Sequence, residues 1–164
     1  MPMISADTSP STDIRNQLRR DHQLALAELE ALRQENDDHR CHAMLEALRR
    51  SWVIEALAKE SVVYRAIEGV ESGSDSMRAD QRFVEHELVQ GLFEKLSQMR
   101  AGTIEWHARL NVARELIMRL IETEHEQVFA KLAQRYDAAG LAELGDAYES
   151  ARAKLTMLEE AKAA

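Results

Sequence analysis

The chain has 164 residues, enough for one sizeable hydrophobic core and too few to favour two. Its 21 basic and 29 acidic residues give a net charge of −8, which argues against phosphate backbones and anionic lipid as partners. A composition 45% hydrophobic and 30% charged, rich in strong helix formers and broken by only two prolines and six glycines, predicts helix nearly throughout; the lone Cys41 excludes an internal disulfide framework.

Residues 1–12 are polar, carry both prolines and lack the basic and apolar regions of a secretory signal, so they read as a flexible leader to a single domain over 13–164. Ser11 or Thr12 is placed to cap a first helix with Asp13 in its first turn. In that helix Ile14, Leu18, His22, Ala25, Leu29 and Leu32 share one face, with His22 in mid-stripe. The polar run Glu35 to Arg40 makes a turn. A second helix follows, with Leu45, Leu48, Trp52, Ala56, Val63 and Ile67 as its apolar face.

The stretch Glu71-Ser-Gly-Ser-Asp-Ser76 is the clearest loop signal. The third helix carries Phe83, His86, Val89, Phe93 and Leu96 and closes near Ala101-Gly102. Thr103 caps a fourth, with Leu110, Ala113, Ile117, Leu120, Glu124, Val128 and Leu132 in step until Gly140 stops it. A shorter fifth helix aligns Leu141, Leu144, Tyr148, Ala151, Leu155 and Leu158, a stripe to be covered by the bundle or by a second subunit. No apolar run approaches the ~20 residues a membrane span needs, so the expectation is a cytoplasmic, all-α protein. Short connections between long helices predict an up-down antiparallel four-helix bundle with a short additional helix.

The two helix pairs resemble one another: His22 matches His86 at an offset of 64, and Val63-Tyr64 matches Val128-Phe129 at 65. In an antiparallel hairpin, residues equidistant from the turn lie at one height, which sets His22 level with Glu55 and His86 level with a position just before Leu120 and Glu124. His22, Glu55, His86 and Glu124 are therefore expected in one middle layer. Polar groups there need hydrogen bonds, counter-charges or a bound cation, since burying them unsatisfied costs a few kcal/mol each.

Leu18-Arg-Arg-Asp-His22, Val84-Glu-His86, the segment from Glu55 to Ile67 and the segment from Leu120 to Leu132 resemble the hemerythrin HHE cation-binding domain. Gly140-Leu-Ala-Glu-Leu-Gly-Asp-Ala-Tyr148 resembles that family's closing helix, and the likeness covers roughly residues 13–158. It implies an iron centre of one or two ions used for oxygen, nitric oxide or redox sensing. Carried over by position, the ligand set falls on His22, Glu55, Lys59, His86, Leu120 and Glu124. Glu55 stands where the family has histidine, yet offers an oxygen. Lys59 and Leu120 depart from the pattern: an ammonium is a donor without a lone pair, and leucine has no ligating atom. Glu60, next to Lys59, and His125, next to Glu124 and five residues past Leu120, lie about 100° round the helix from their neighbours and are the extra candidates, able to swing in only if the helices rotate.

Two readings follow. In one, His22, Glu55, His86 and Glu124 hold iron or another transition metal. In the other the site is metal-free, Lys59 supplies the positive charge, and the protein acts through a protein partner or another copy of itself. A third, nucleophilic chemistry at Cys41 beside His39 and His42, is weaker because a polar interhelical turn is ordinarily just solvated.

Overall fold

The computed structural model describes residues 12–68 and 73–164, with 73–79 described as backbone only. The expected leader and the first residues of the predicted 71–76 loop lie outside the described residues, except Thr12. Every described element is helical. α1 spans Ile14–Gln34; α2 runs over 38–67, as Asp38–Ala58, a π-helical stretch Lys59–Tyr64 and a last turn Arg65–Ile67; α3 is Gly73–Ser97. α4 runs over 104–135, as Ile104–Thr123, a π-helical stretch Glu124–Val128 and Phe129–Arg135, and α5 is Ala138–Ala163. None is long and apolar enough to cross a membrane.

The caps explain where the chain departs from the sequence-based boundaries. Asp13, not Ser11 or Thr12, caps α1, its carboxylate accepting from Arg15 N at 2.9 Å. Asp37 caps α2 by accepting from Arg40 N at 2.8 Å, so the turn closes within residues 35–37. Helical backbone already begins at Gly73, inside the stretch read as a loop. α3 stops at Ser97, short of Gly102, which takes the left-handed φ of +77° inside the next turn. Thr103 caps α4 as expected, accepting from Trp106 N. Gly140 does not end that helix: Asp137 accepts from Gly140 N at 2.9 Å and starts α5, which at 26 residues is the longest unbroken α-helix described rather than a short one.

α1 packs on α2, α4 and α5; α2 also packs on α3 and α5; α3 packs on α4. The core has two apolar halves. One is built on Leu29, Leu45, Trp52, Phe93, Trp106 and Ile117, the other on Ile14, Leu18, Val63, Val128, Leu132 and Tyr148. Between them along α1, α2 and α4 lie the buried polar residues Asp21, His22, Glu55, Lys59 and Glu124. The apolar stripes read from sequence are buried on α1 and α4. Phe83 and Leu158 break the pattern, at 61% and 58% exposed. Ala151 and Leu155 of α5 still pack against the second half of the core, whereas Met157 and Leu158 beyond them are exposed.

Two glycines test the packing. A Cβ at Gly145 would stand 1.6 Å from the Thr12 carbonyl oxygen, whereas one at Gly91 would have nothing within 4 Å. Gly145→Ala is expected to destabilise by about 1–3 kcal/mol through overpacking. Gly91→Ala, in the middle of α3, is expected to stabilise by about 0.5–1 kcal/mol. Urea denaturation of the two variants beside the wild type checks both signs.

Candidate functional site in the buried polar layer

Glu124 is the centre of the layer. It opens the π-helical stretch of α4, where the widened turn buries two consecutive residues, Val128 and Phe129, in the core. Lys59 opens the matching stretch of α2, where Ala58 and Lys59 are both buried. The two stretches begin 65 residues apart, the same offset that relates Val63-Tyr64 to Val128-Phe129. Lys59 and Glu124 thus occupy equivalent positions in the two halves, and they touch: Lys59 Nζ lies 3.1 Å from Glu124 Oε2, with both side chains 4% exposed.

His22 Nε2 lies 2.6 Å from the same Oε2. A carboxylate only accepts, so this ring nitrogen carries the hydrogen and donates. Lys59 Nζ and His22 Nε2, 3.3 Å apart, are then two donors converging on one oxygen rather than partners of each other. The other carboxylate oxygen accepts from the Tyr64 hydroxyl at 2.8 Å. Burial alone would push the Glu124 carboxyl up; the Lys59 charge and the hydrogen bonds from His22 and Tyr64 outweigh it and hold the group well below the usual carboxylate range. Burial, with Glu124 alongside, raises Tyr64 well above the ordinary phenol value, so it stays a donor. His125 reaches the layer from outside without any rotation of the helices: its Nε2 is 3.1 Å from His22 Nδ1. Glu60 is exposed and stays out of the layer.

The other two expected ligands are in the layer but do not join Glu124. Glu55, buried, interacts electrostatically with Lys59, Asp21 and Arg152, and makes no hydrogen bond among the described residues. Burial pushes it up to about 7. His86 stacks on Trp52 with ring centroids 4.9 Å apart, and its buried Nδ1 has no partner among the described residues. Burial and the nearby Lys59 lower it to about 4. A cavity of about 10 Å³, room for one water at most, separates His86 from Lys59 and Glu124.

A neighbouring cluster went unnoticed in the sequence. Asp21 is buried beside His22, its carboxylate accepting from the Tyr148 hydroxyl at 2.8 Å and from Arg152 at 3.1 Å, which ties α5 to α1. The signal was there: Asp21 sits on the buried edge of the His22 stripe, and Tyr148 lies in the apolar stripe of α5. Cys41 is buried with its thiol against the Glu35 carbonyl, and burial raises its pKa. His42 sits between the two turns, its Nδ1 2.8 Å from the Asp38 carbonyl oxygen and its Nε2 2.9 Å from that of Met99, one of which accepts the N–H of the neutral ring.

The donor set does not fit the iron centre that the resemblance implies. Lys59 points its ammonium at the carboxylate a metal would need, Leu120 offers no ligand, and neither Glu55 nor His86 hydrogen-bonds Glu124 among the described residues. Among the described residues no group of three or more His, Cys, Asp or Glu side chains is arranged to hold a metal ion. Compared with models of known families, with curated proteins and with solved structures, the chain matches none of them.

Lys59→Met leaves the Glu124 carboxylate buried without its counter-charge and is expected to destabilise by roughly 3–5 kcal/mol. Lys59→Met combined with Glu124→Leu should recover much of that loss in thermal melts. Because Glu55 is raised to about 7 from an ordinary 4.5, the folded chain holds a proton that the unfolded chain has released between those pH values, and stability falls as pH rises through that window. Glu55→Gln removes this loss: it should be more stable than wild type by roughly 2–3 kcal/mol above the window and near-equal to it below, in denaturation curves across pH.

Proposed function

We propose that this chain is a hemerythrin-like helical bundle whose central cation is the ammonium of Lys59 in place of a metal ion, and that it is a binding or regulatory module rather than an enzyme. The observation that carries this reading is Lys59 Nζ at 3.1 Å from Glu124 Oε2, inside the layer where the resemblance would put iron. An up-down antiparallel arrangement of α1 to α4 belongs to the same reading. Two contacts support it between α2 and α3: Arg49 meets Glu94, and His42, earlier in α2, meets Met99, just past the end of α3. The short turns within 35–37 and 98–103 support it for α1 with α2 and for α3 with α4.

The repeat explains why one histidine is bonded and the other is not. If a twofold relates the two hairpins, the His22–Glu124 contact of one half has His86 and Lys59 as its counterpart in the other. Lysine accepts no hydrogen bond there, and the ammonium turns across the axis to Glu124; the buried His86 Nδ1, without a partner among the described residues, is the counterpart of the His22 Nδ1 that meets His125, and Glu60, at the position equivalent to His125, is exposed. Oxygen or nitric oxide sensing at iron is not part of this reading, because two of the implied ligand positions hold Lys59 and Leu120. The net charge of −8 favours a protein partner or a second copy over nucleic acid, in a cytoplasmic setting.

Metal analysis of protein expressed with iron supplied tests the reading. The wild type is expected to carry iron far below one equivalent, and Lys59→Glu combined with Leu120→His, which completes the implied donor set, is expected to gain it. Stoichiometric iron in the wild type would overturn the lysine-centred account.

A further inference from the structure

We infer that the groove between α2 and α3 binds an organic cation with an apolar body, such as an aryl-alkyl or alkyl ammonium. This goes beyond the lysine-centred reading and does not depend on it. The groove has a volume of about 540 Å³, within the ~300–1,000 Å³ range of small-molecule sites. Its walls are apolar: Val53, Ala56 and Leu57 line it from α2 and Phe83 from α3. Leu57 is 44% and Phe83 61% exposed, so a ligand seated there would remove from water apolar surface that the fold itself leaves uncovered.

The charge of the rim decides which ligand. Glu60 and Glu68 contribute carboxylates from the α2 side, and Asp80 and Glu87 from the α3 side, all four exposed. Against them stands one full positive charge among the lining residues, Arg82, whose guanidinium lies over the Tyr64 ring at 5.3 Å. His86, on the floor, is lowered to about 4 by burial and is neutral near pH 7, so it does not oppose a cation. A carboxylate ligand would meet net repulsion, and a neutral apolar one would gain nothing from the rim. An ammonium satisfies both features, with its body against Leu57 and Phe83 and its head among the carboxylates. Tyr64 and His86 border the groove and also the small cavity beside Glu124, so an occupant would touch the residues that bound the polar layer.

The test compares three probes of one shape, phenylbutylamine, phenylbutanol and phenylbutyrate, by calorimetry and by the fluorescence of Trp52, which stacks on His86. Saturable one-to-one binding of the amine is expected, with the alcohol weaker and the carboxylate weakest. Glu60→Gln combined with Glu87→Gln should weaken the amine roughly three- to tenfold by removing two exposed charges. Phe83→Ser should weaken it as well, and since all three side chains are exposed the melting temperature should stay unchanged. Equal binding of the amine with either other probe, absence of saturable amine binding up to its solubility limit, or affinity indifferent to these substitutions would overturn the inference.

Discussion

The Glu124 carboxylate organises the middle of this molecule, because an ion so deeply buried persists only where its surroundings supply charge and donors. Lys59, His22 and Tyr64 supply them from two other helices, each within 3.1 Å of a carboxylate oxygen. The network spans α1, α2 and α4, and none of these helices can shift along its axis without stranding a polar group in the core. Asp21, with Tyr148 and Arg152, extends the same logic to α5.

The π-helical stretches make this geometry possible. Each inserts an extra residue into a turn where the chain must present a polar group and still return its apolar stripe to the core. Both begin at the polar residue itself, Lys59 in α2 and Glu124 in α4. The two halves of the chain share the device while differing in the side chains it presents. One presents an acid that collects hydrogen bonds, the other a base that crosses to reach it. His86 and Glu55 bear the consequence: both are in the layer, and among the described residues neither the enclosed His86 Nδ1 nor the Glu55 carboxylate has a hydrogen-bonding partner.

That asymmetry also shapes the surface. On the His22 side the layer is closed over by His125. On the His86 side it meets a groove whose walls are Leu57 and Phe83 and whose rim is acidic. Two features that would each be costly or idle alone, an enclosed imidazole nitrogen without a partner among the described residues and uncovered apolar side chains, thus lie against one another between α2 and α3.

Helical content, the apolar faces of α1 and α4, the Thr103 cap and the meeting of His22 with Glu124 were readable from the sequence, because each follows from residue spacing along a helix. The departures of Lys59 and Leu120 from the resembled ligand pattern were equally plain. Spacing could not reveal the π-helical turns, which change the period only where packing demands it, nor the exposure of Phe83, which shares a helical face with buried residues. Asp137 overriding Gly140 was a matter of which local hydrogen bond won, a capping carboxylate over a helix-tolerated glycine. That Tyr64 joins Lys59 and His22 on Glu124, while Glu55 and His86 make no hydrogen bond to it among the described residues, was decided by tertiary structure: only packing determines which side chains of one layer come within hydrogen-bonding distance of a buried charge.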